Sequence, residues 1–357
     1  MTYDGENSRL RKKSQSKSKL SSKKKKKKRK FKKNFLIIFS FIILSFLTFI
    51  GFYTFKLLGN VKHGTISKTP SSLGISSSTL EELKKYPTYD DVTNIALFGL
   101  DQRNNNETSR SDAVMILSID KAHKKIKLTS VMRDSYVQID GHKKDKLTHA
   151  YAYGGPELSI KTLNKNFNLN IKDYVSVNFF NMEKIIDSLG GIEVEVKSSE
   201  IKEINKYMKE ISDITNTPFT SLTNSGRQLL NGRQALSYAR IRSVGNGDFE
   251  RTSRQRKVLE ALFTQIKDDG VLKFPYNVSK LAPMIETSFS SSDMLKMGLS
   301  LFLSRTVNLE TARIPVDGTF KDGGQMIQGV WYLPFDENKN INALQKYIYE
   351  DKKLNNQ

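Results

Sequence analysis

The chain has 357 residues, 38% hydrophobic and 27% charged, and its 58 Lys and Arg outweigh 37 Asp and Glu for a net charge of +21. The charge is uneven: residues 1–33 alone hold 16 of the basic and two of the acidic side chains, so a pI near 9.7 does not mark the remainder as a nucleic-acid binder. The absence of cysteine excludes disulfides, thiolate metal sites and a cysteine nucleophile.

Residues 1–34 contain a lysine tract with almost nothing apolar to bury, and they read as a disordered cytoplasmic tail. Residues 35–55 carry no charged side chain. As a helix they would reach about 31 Å, one bilayer core. Lys56 follows directly, with no small-residue cleavage site, so the segment reads as an uncleaved transmembrane helix rather than a signal peptide. The positive-inside rule then leaves the tail in the cytoplasm and the rest outside, a single-pass protein of the cell membrane. Residues 56–90, rich in Ser, Thr, Gly and Pro, read as an extracellular spacer with one short helix near 79–86.

A folded domain is expected over 91–350. Its strand-like runs are 93–100, 112–120, 125–132, 192–196, 233–242 and 309–315. Helices are expected at 155–167, opened by Pro156, at 182–189, closed by Gly190-Gly191, and at 202–211. Another covers 254–270, with Val258, Leu259, Leu262 and Ile266 at helical spacing, and a last one covers 341–349. Strands and helices that do not segregate imply a layered α/β domain.

The chemistry sits where apolar runs end. Asp101 with Arg103, Arg110 with Asp112, Arg133 with Asp134, Arg240 with Arg242, and Asp248, Arg251, Arg254 and Gln255 form five Arg-rich groups at element ends. Guanidinium forks match phosphate oxygens two at a time, and neighbouring carboxylates can hold Mg²⁺ against a phosphate. One such pair alone reads more simply as a surface salt bridge. Five together indicate a site for a bulky polyanion with a metal, most simply a pyrophosphate. A strand over 233–242 would point Tyr238, Arg240 and Arg242 to one face, and a following helix would align Arg251, Arg254 and Gln255. Four scattered histidines without metal-ligand spacing, and no GxSxG or P-loop pattern, leave zinc enzymes, serine hydrolases and P-loop enzymes without a motif. Leu229, Leu230, Phe263 and Val330 read as core rather than as a lipid pocket.

In order, GLDQR, RSD, RD, KLTHAYAYGGPE, SLGGIEVEV, LNGRQALSYARIR and GDFERTSRQRKVL resemble the LytR-CpsA-Psr family of membrane-anchored cell-wall enzymes. The RIPVDGTF segment fits the same resemblance. It implies an α-β-α sandwich with a mixed central sheet and a hydrophobic pocket for a lipid chain. It also implies a phosphotransferase that moves a glycopolymer (wall teichoic acid or capsule) from a polyprenyl pyrophosphate carrier to the C6 hydroxyl of N-acetylmuramic acid in peptidoglycan.

By the same resemblance Asp101 and Asp112 would hold Mg²⁺ or Mn²⁺. Arg133, Arg240, Arg242, Arg251 and Gln255 would bind pyrophosphate, and Lys146 matches a basic residue near the head group. Arg103, Arg110, Asp134, Asp248 and Arg254 are expected to support them, and Asp101 is the candidate base. Met132 departs from the family, which has Pro before Arg-Asp, and a looser turn is expected there. The alternatives are a non-catalytic binder of anionic polymers and a membrane-linked transcriptional attenuator. The second needs a cytoplasmic domain and a recognition helix, and neither is legible here.

Overall fold

A computed structural model of the chain describes residues 61–101, 109–303 and 308–354. The basic tail, the apolar span at 35–55 and Arg103 lie outside the described residues. Among the described residues no helix is long and apolar enough to cross a membrane.

In chain order the elements begin with β1 (Lys62–His63), α1 (Ser77–Leu83), β2 (Val92–Asp101), β3 (Arg110–Asp120), β4 (Lys125–Val131), β5 (Tyr136–Gln138) and β6 (Lys144–Lys146). Next come α2 (Leu147–Phe167), β7 (Asp173–Asn178), α3 (Phe179–Ser188), β8 (Ile192–Val196), α4 (Ser198–Thr215), β9 (Gly226–Leu230) and α5 (Gly232–Arg240). The last are α6 (Gly247–Asp268), α7 (Gly270–Leu281), β10 (Glu286–Thr287), α8 (Ser291–Leu303), β11 (Asn308–Ile314), β12 (Gln325–Ile327), β13 (Val330–Tyr332) and α9 (Glu337–Glu350).

Seven strands form one mixed sheet in the order β1-β10-β7-β2-β3-β4-β11. β7 is parallel to β2, and β4 is parallel to β11. β3 runs against both β2 and β4. The carboxyl ends of β2, β4, β7 and β11 therefore lie on one edge of the sheet, together with the amino end of β3. That edge is where ligands bind in α/β sheets.

Alternation on β2 sends Ala96, Phe98 and Leu100 into a core with α2 and α9, while Ile95 and Leu97 face α8 on the other side. Helices thus cover both faces. Each fully buried large apolar side chain, such as Phe98, is worth roughly 1.5–3 kcal/mol. The stretch read as a spacer contributes Leu73, Ile75 and Leu83 to the α2–α9 core, and its helix is α1, capped by the Ser76 hydroxyl.

Strand β7 and helices α7 and α8 were not among the expected elements, and two of those expected take another form. The helix expected from residue 155 is the second half of α2, which begins eight residues earlier and breaks at Gly154-Gly155. Gly155 sits at φ 62°, ψ −154°, a conformation open essentially to glycine alone. The strand expected over 233–242 is instead helix α5. Asn231 caps it by accepting from the Gln234 backbone N–H, and the Gln234 side chain returns the bond. Gly232 lets α5 press onto α3, since a Cβ there would meet the Glu183 carbonyl oxygen at 2.1 Å.

Candidate active site

At the carboxyl edge of the sheet, β2 ends in Asp101, opposite Arg110 in the ladder. β3 enters the same edge through a bulge. Gly99 pairs with Ala113 and Leu100 with Ser111, which leaves Asp112 without a cross-strand partner. An extra residue of this kind re-aims a side chain, here into the site. Past the end of β4, Arg133 and Asp134 occupy a tight turn. The start of α2 braces it: Leu147 N–H donates to the Ser135 carbonyl, Thr148 N–H to the Arg133 carbonyl, and the Thr148 hydroxyl to the Ser111 carbonyl.

Met132 does not loosen this turn, as expected from the missing proline. It is fully buried and its N–H donates to the Ile314 carbonyl at 2.9 Å, a bond that proline could not make.

The guanidinium of Arg133 lies 2.8 Å from Asp112 and 3.3 Å from both Asp134 and Asp248. Arg251, buried on the first turns of α6, reaches Asp248 at 2.9 Å and Asp112 at 3.7 Å. Arg242, in the loop after α5 and about half exposed, stands 3.6 Å from Asp112 and 3.7 Å from Asp248. Lys146 closes the group 2.7 Å from Asp134. Four cations thus share three carboxylates. The Nε–H groups of Arg133 and Arg251 are buried and lack hydrogen-bond geometry, the first even though Asp134 and Asp248 lie 3.3 Å from it.

Burial pulls the Arg133 guanidinium down, but Asp112, Asp248 and Asp134 together outweigh it and hold it above its ordinary value. Burial lowers Arg251, with Arg133 and Arg242 adding repulsion that Asp248 and Asp112 only partly offset. Both remain cationic at neutral pH, since an arginine starts many units above it. The site therefore keeps surplus positive charge and unmet donors, the condition in which an anion binds well.

Three expected residues stand elsewhere. Because α5 is a helix, Tyr238, Arg240 and Arg242 do not share a face, and Tyr238 is fully buried. Arg240 pairs with Glu210 of α4 at 2.9 Å, lies 4.9 Å above the Tyr207 ring, and lines a small crevice with Asp101. Arg254 turns away from Arg251 into the interior. It binds Glu200 and the carbonyls of Ile241 and Val244, which pins the loop that carries Arg242. Its support is positional. Arg110 is exposed at the start of β3, outside the cluster.

Gln255 lines an apolar cavity of about 270 Å³ between the sheet and helices α3, α5, α6 and α7. Gly99 and Ala113 form part of its wall, next in sequence to the strand ends that bear Asp101 and Asp112. Val258, Leu259 and Leu262, the apolar residues at helical spacing on α6, line the cavity, and Val258 and Leu262 also pack in the second core. Leu229, Leu230, Phe263 and Val330 do not line it. Leu230 is buried in a second core, and Leu229 and Val330 are exposed. Nothing in residue type separates a cavity leucine from a core leucine, so this pocket was not legible. The Glu210–Tyr207 seat of Arg240 was missed for the same reason.

The RIPVDGTF segment positions α6. Arg313 pairs with Asp317 and lies over the stacked rings of Phe249 and Phe320, clamping the helix start that bears Asp248 and Arg251.

A divalent ion would find only hard oxygen donors here. Among the described residues no group of three or more His, Asp or Glu forms a ready-made cage. Asp101 at the end of β2 and Asp112 in the β3 bulge offer two carboxylates at one sheet edge, the number Mg²⁺ takes when water and substrate phosphate complete its shell.

The LytR_cpsA_psr family model matches residues 56–348. Regulatory protein MsrR of Staphylococcus aureus (strain COL) is 32% identical over 265 residues, covering 73% of this chain and 76% of that protein. The polyisoprenyl-teichoic acid–peptidoglycan teichoic acid transferase TagU of Enterococcus faecalis is 31% identical over 314 residues, 86% of this chain and 93% of the relative. Among solved structures, TagT bound to LI-WTA is 26% identical and superposes with a TM-score of 0.59, covering 80% of this chain and 99% of that one. TagT with bound octaprenyl pyrophosphate lipid gives 0.53 at 26% identity, covering 73% and 90%. With its mixed sheet, its Arg–Asp edge and these matches along most of its length, the chain belongs to the LytR-CpsA-Psr family.

Proposed function

We propose that this protein is a phosphotransferase that moves a glycopolymer from a polyprenyl pyrophosphate carrier to peptidoglycan, at the C6 hydroxyl of N-acetylmuramic acid. One observation carries the reading: an apolar cavity is walled by β3 beside Asp112 and by α6, the helix that carries Arg251, so it adjoins the cation cluster. A lipid-linked pyrophosphate has this division, an apolar chain joined to a polyanion. The names of TagU and the octaprenyl pyrophosphate in TagT support it.

In the step, the acceptor hydroxyl oxygen forms a bond to the glycan-bearing phosphorus. The bond from that phosphorus to the bridging oxygen breaks, and polyprenyl phosphate leaves with the bridging oxygen and its electron pair. Arg133, Arg242 and Arg251 neutralise the phosphate oxygens as charge shifts to the leaving group. Asp101 receives the hydroxyl proton, and Asp112 orients Arg133. Mg²⁺ held by Asp101 and Asp112 would add charge stabilisation at the same oxygens. Arg240 joins the pyrophosphate set if it leaves Glu210, bringing it to four of the five residues the resemblance implies, with Gln255 on the cavity wall. The catalytic domain acts outside the cell, tethered through residues 35–55.

The test uses the purified full chain with a polyprenyl-pyrophosphate-linked glycan, peptidoglycan oligomers and Mg²⁺. Polyprenyl monophosphate and the coupled phosphodiester should appear together, need the metal, and vanish in Asp101→Ala. Asp101→Asn separates two roles of that residue, since an amide oxygen can still meet a metal but cannot take a proton. A wild-type chain that binds the donor and releases no lipid phosphate would overturn the reading in favour of a binding protein.

A further inference from the structure

The apolar cavity lies on one face of the sheet, lined by Leu97, Gly99 and Met115. On the opposite face α2, β5 and β6 pack through Val137, Leu147 and Ala150. They carry a group of aromatic rings that core packing does not explain. Tyr153, just before the Gly154 kink, is 47% exposed, and its ring stacks on the exposed His142 at 4.3 Å. Tyr332 on β13 packs against Tyr136 on β5 at 4.7 Å. Trp331 stands beside it, with the Lys146 ammonium 5.7 Å from its ring and 5.9 Å from that of Tyr332. Lys146 is the link to the cation cluster, through Asp134.

A single carboxylate orders the two tyrosines, and the Trp331 Nε1–H donates to the Gly323 carbonyl at 2.8 Å. Asp145 accepts from the Tyr153 hydroxyl at 2.6 Å and the Tyr332 hydroxyl at 3.3 Å, and lies 2.8 Å from Nδ1 of His149. Burial works against its charge, but the bonds from Tyr153, His149 and the Lys146 N–H hold it below the usual carboxylate range. The rings are therefore fixed before any ligand arrives. Tyrosine and tryptophan offer a flat apolar face with a polar tip. A pyranose has the complementary form, one face of C–H bonds with hydroxyls around its rim.

We propose that Trp331, together with Tyr332 and Tyr153 held by Asp145, binds the saccharide of the acceptor, an N-acetylhexosamine chain. The inference rests on the transferase reading and assigns its second substrate. Geometry selects the acceptor over the donor glycan. In phosphoryl transfer the attacking and leaving oxygens stand roughly in line. The leaving lipid phosphate departs toward the cavity, so the attacking hydroxyl comes from the far side of the cations, where the rings are.

Trp331 is the only tryptophan in the chain, so its emission reports on this patch alone. The full chain is titrated with a β-1,4-linked N-acetylhexosamine tetrasaccharide. A saturable change in emission is expected, weakened about tenfold in Tyr153→Ala, as for loss of an aromatic anchor. In turnover the same variant should raise the KM for acceptor about tenfold, well beyond any change in the KM for donor. Tyr153→Phe keeps the ring and should retain saccharide binding, which separates loss of contact from loss of fold. Unmoved Trp331 emission with unchanged acceptor KM overturns the proposal. A rise in donor KM instead assigns the patch to the donor glycan and also overturns it. Saccharide binding without lipid phosphate release sinks the transferase reading while leaving the saccharide site standing.

Discussion

Strands β3 and β4 carry an ion cluster at each end, and the two differ in what is left over. At the end away from the site, Lys127 is fully buried. Its three protons go to Asp120 at 2.6 Å and to the carbonyls of Tyr347 and Ile348 at 2.8 and 3.0 Å. Asp120, also buried, accepts from His123, and Asp351 bridges Lys127 and Lys125. Every donor of the lysine is used, and the result is a lock on the end of α9. At the other end four cations crowd three carboxylates, of which Asp112 and Asp248 are partly exposed, and two buried Nε–H groups lack hydrogen-bond geometry. An ion pair is therefore weak evidence of function. Surplus charge and unmet donors are the stronger sign.

The comparison is most severely tested at Lys127. Lys127→Met strands the buried Asp120 carboxylate, and a denaturant titration should show a loss of about 3–5 kcal/mol. A neutral result would mean that the closed cluster is not a lock. Arg133→Ala should do the opposite. Transfer should fall about 10²–10³-fold, as for removal of one charge-stabilising donor, with little change in unfolding midpoint. If the fold fails instead of the rate, the open cluster is structural after all.

Between these lies the cavity. Ala239→Phe fills part of it and should weaken polyprenyl pyrophosphate binding by about tenfold, roughly 1.4 kcal/mol. Calorimetry with inorganic pyrophosphate should show no matching loss.

The smallest effect belongs to an exposed pair. Hydrogen bonds from Lys161 and Lys165 bring the Asp140 carboxyl down to about 2. A carboxylate depressed in this way stabilises the fold above its unfolded value of about 3.9, and the benefit fades as pH falls through about 2. Asp140→Asn should therefore cost under about 1 kcal/mol at pH 7 and nothing near pH 2. Thermal melts at both pH values check it.

The central strands were legible because β2, β3 and β4 are short apolar runs bounded by charged residues, and period and composition agree there. The arginine–aspartate chemistry was legible because Asp101 and Arg133-Asp134 close such runs and Arg110 and Asp112 open one. Helix α5 was misread because Leu236, Tyr238 and Arg240 alternate with smaller residues as a strand would. The reciprocal cap of Asn231 and Gln234 was the signal that should have outweighed it. The destination of each arginine was beyond reach. Arg251 and Arg254 sit one turn apart on α6, yet one meets Asp112 and the other Glu200. Only packing distinguishes them.

The bulge at Asp112 makes this site more sensitive to length than to identity. Many single replacements along the first residues of β3 would leave the ladder intact. Deleting one residue there would erase the bulge, restore a regular strand and carry the carboxylate out of reach of three arginines at once. Variants of this protein should therefore tolerate exchange at positions 109–111 far better than they tolerate any gap.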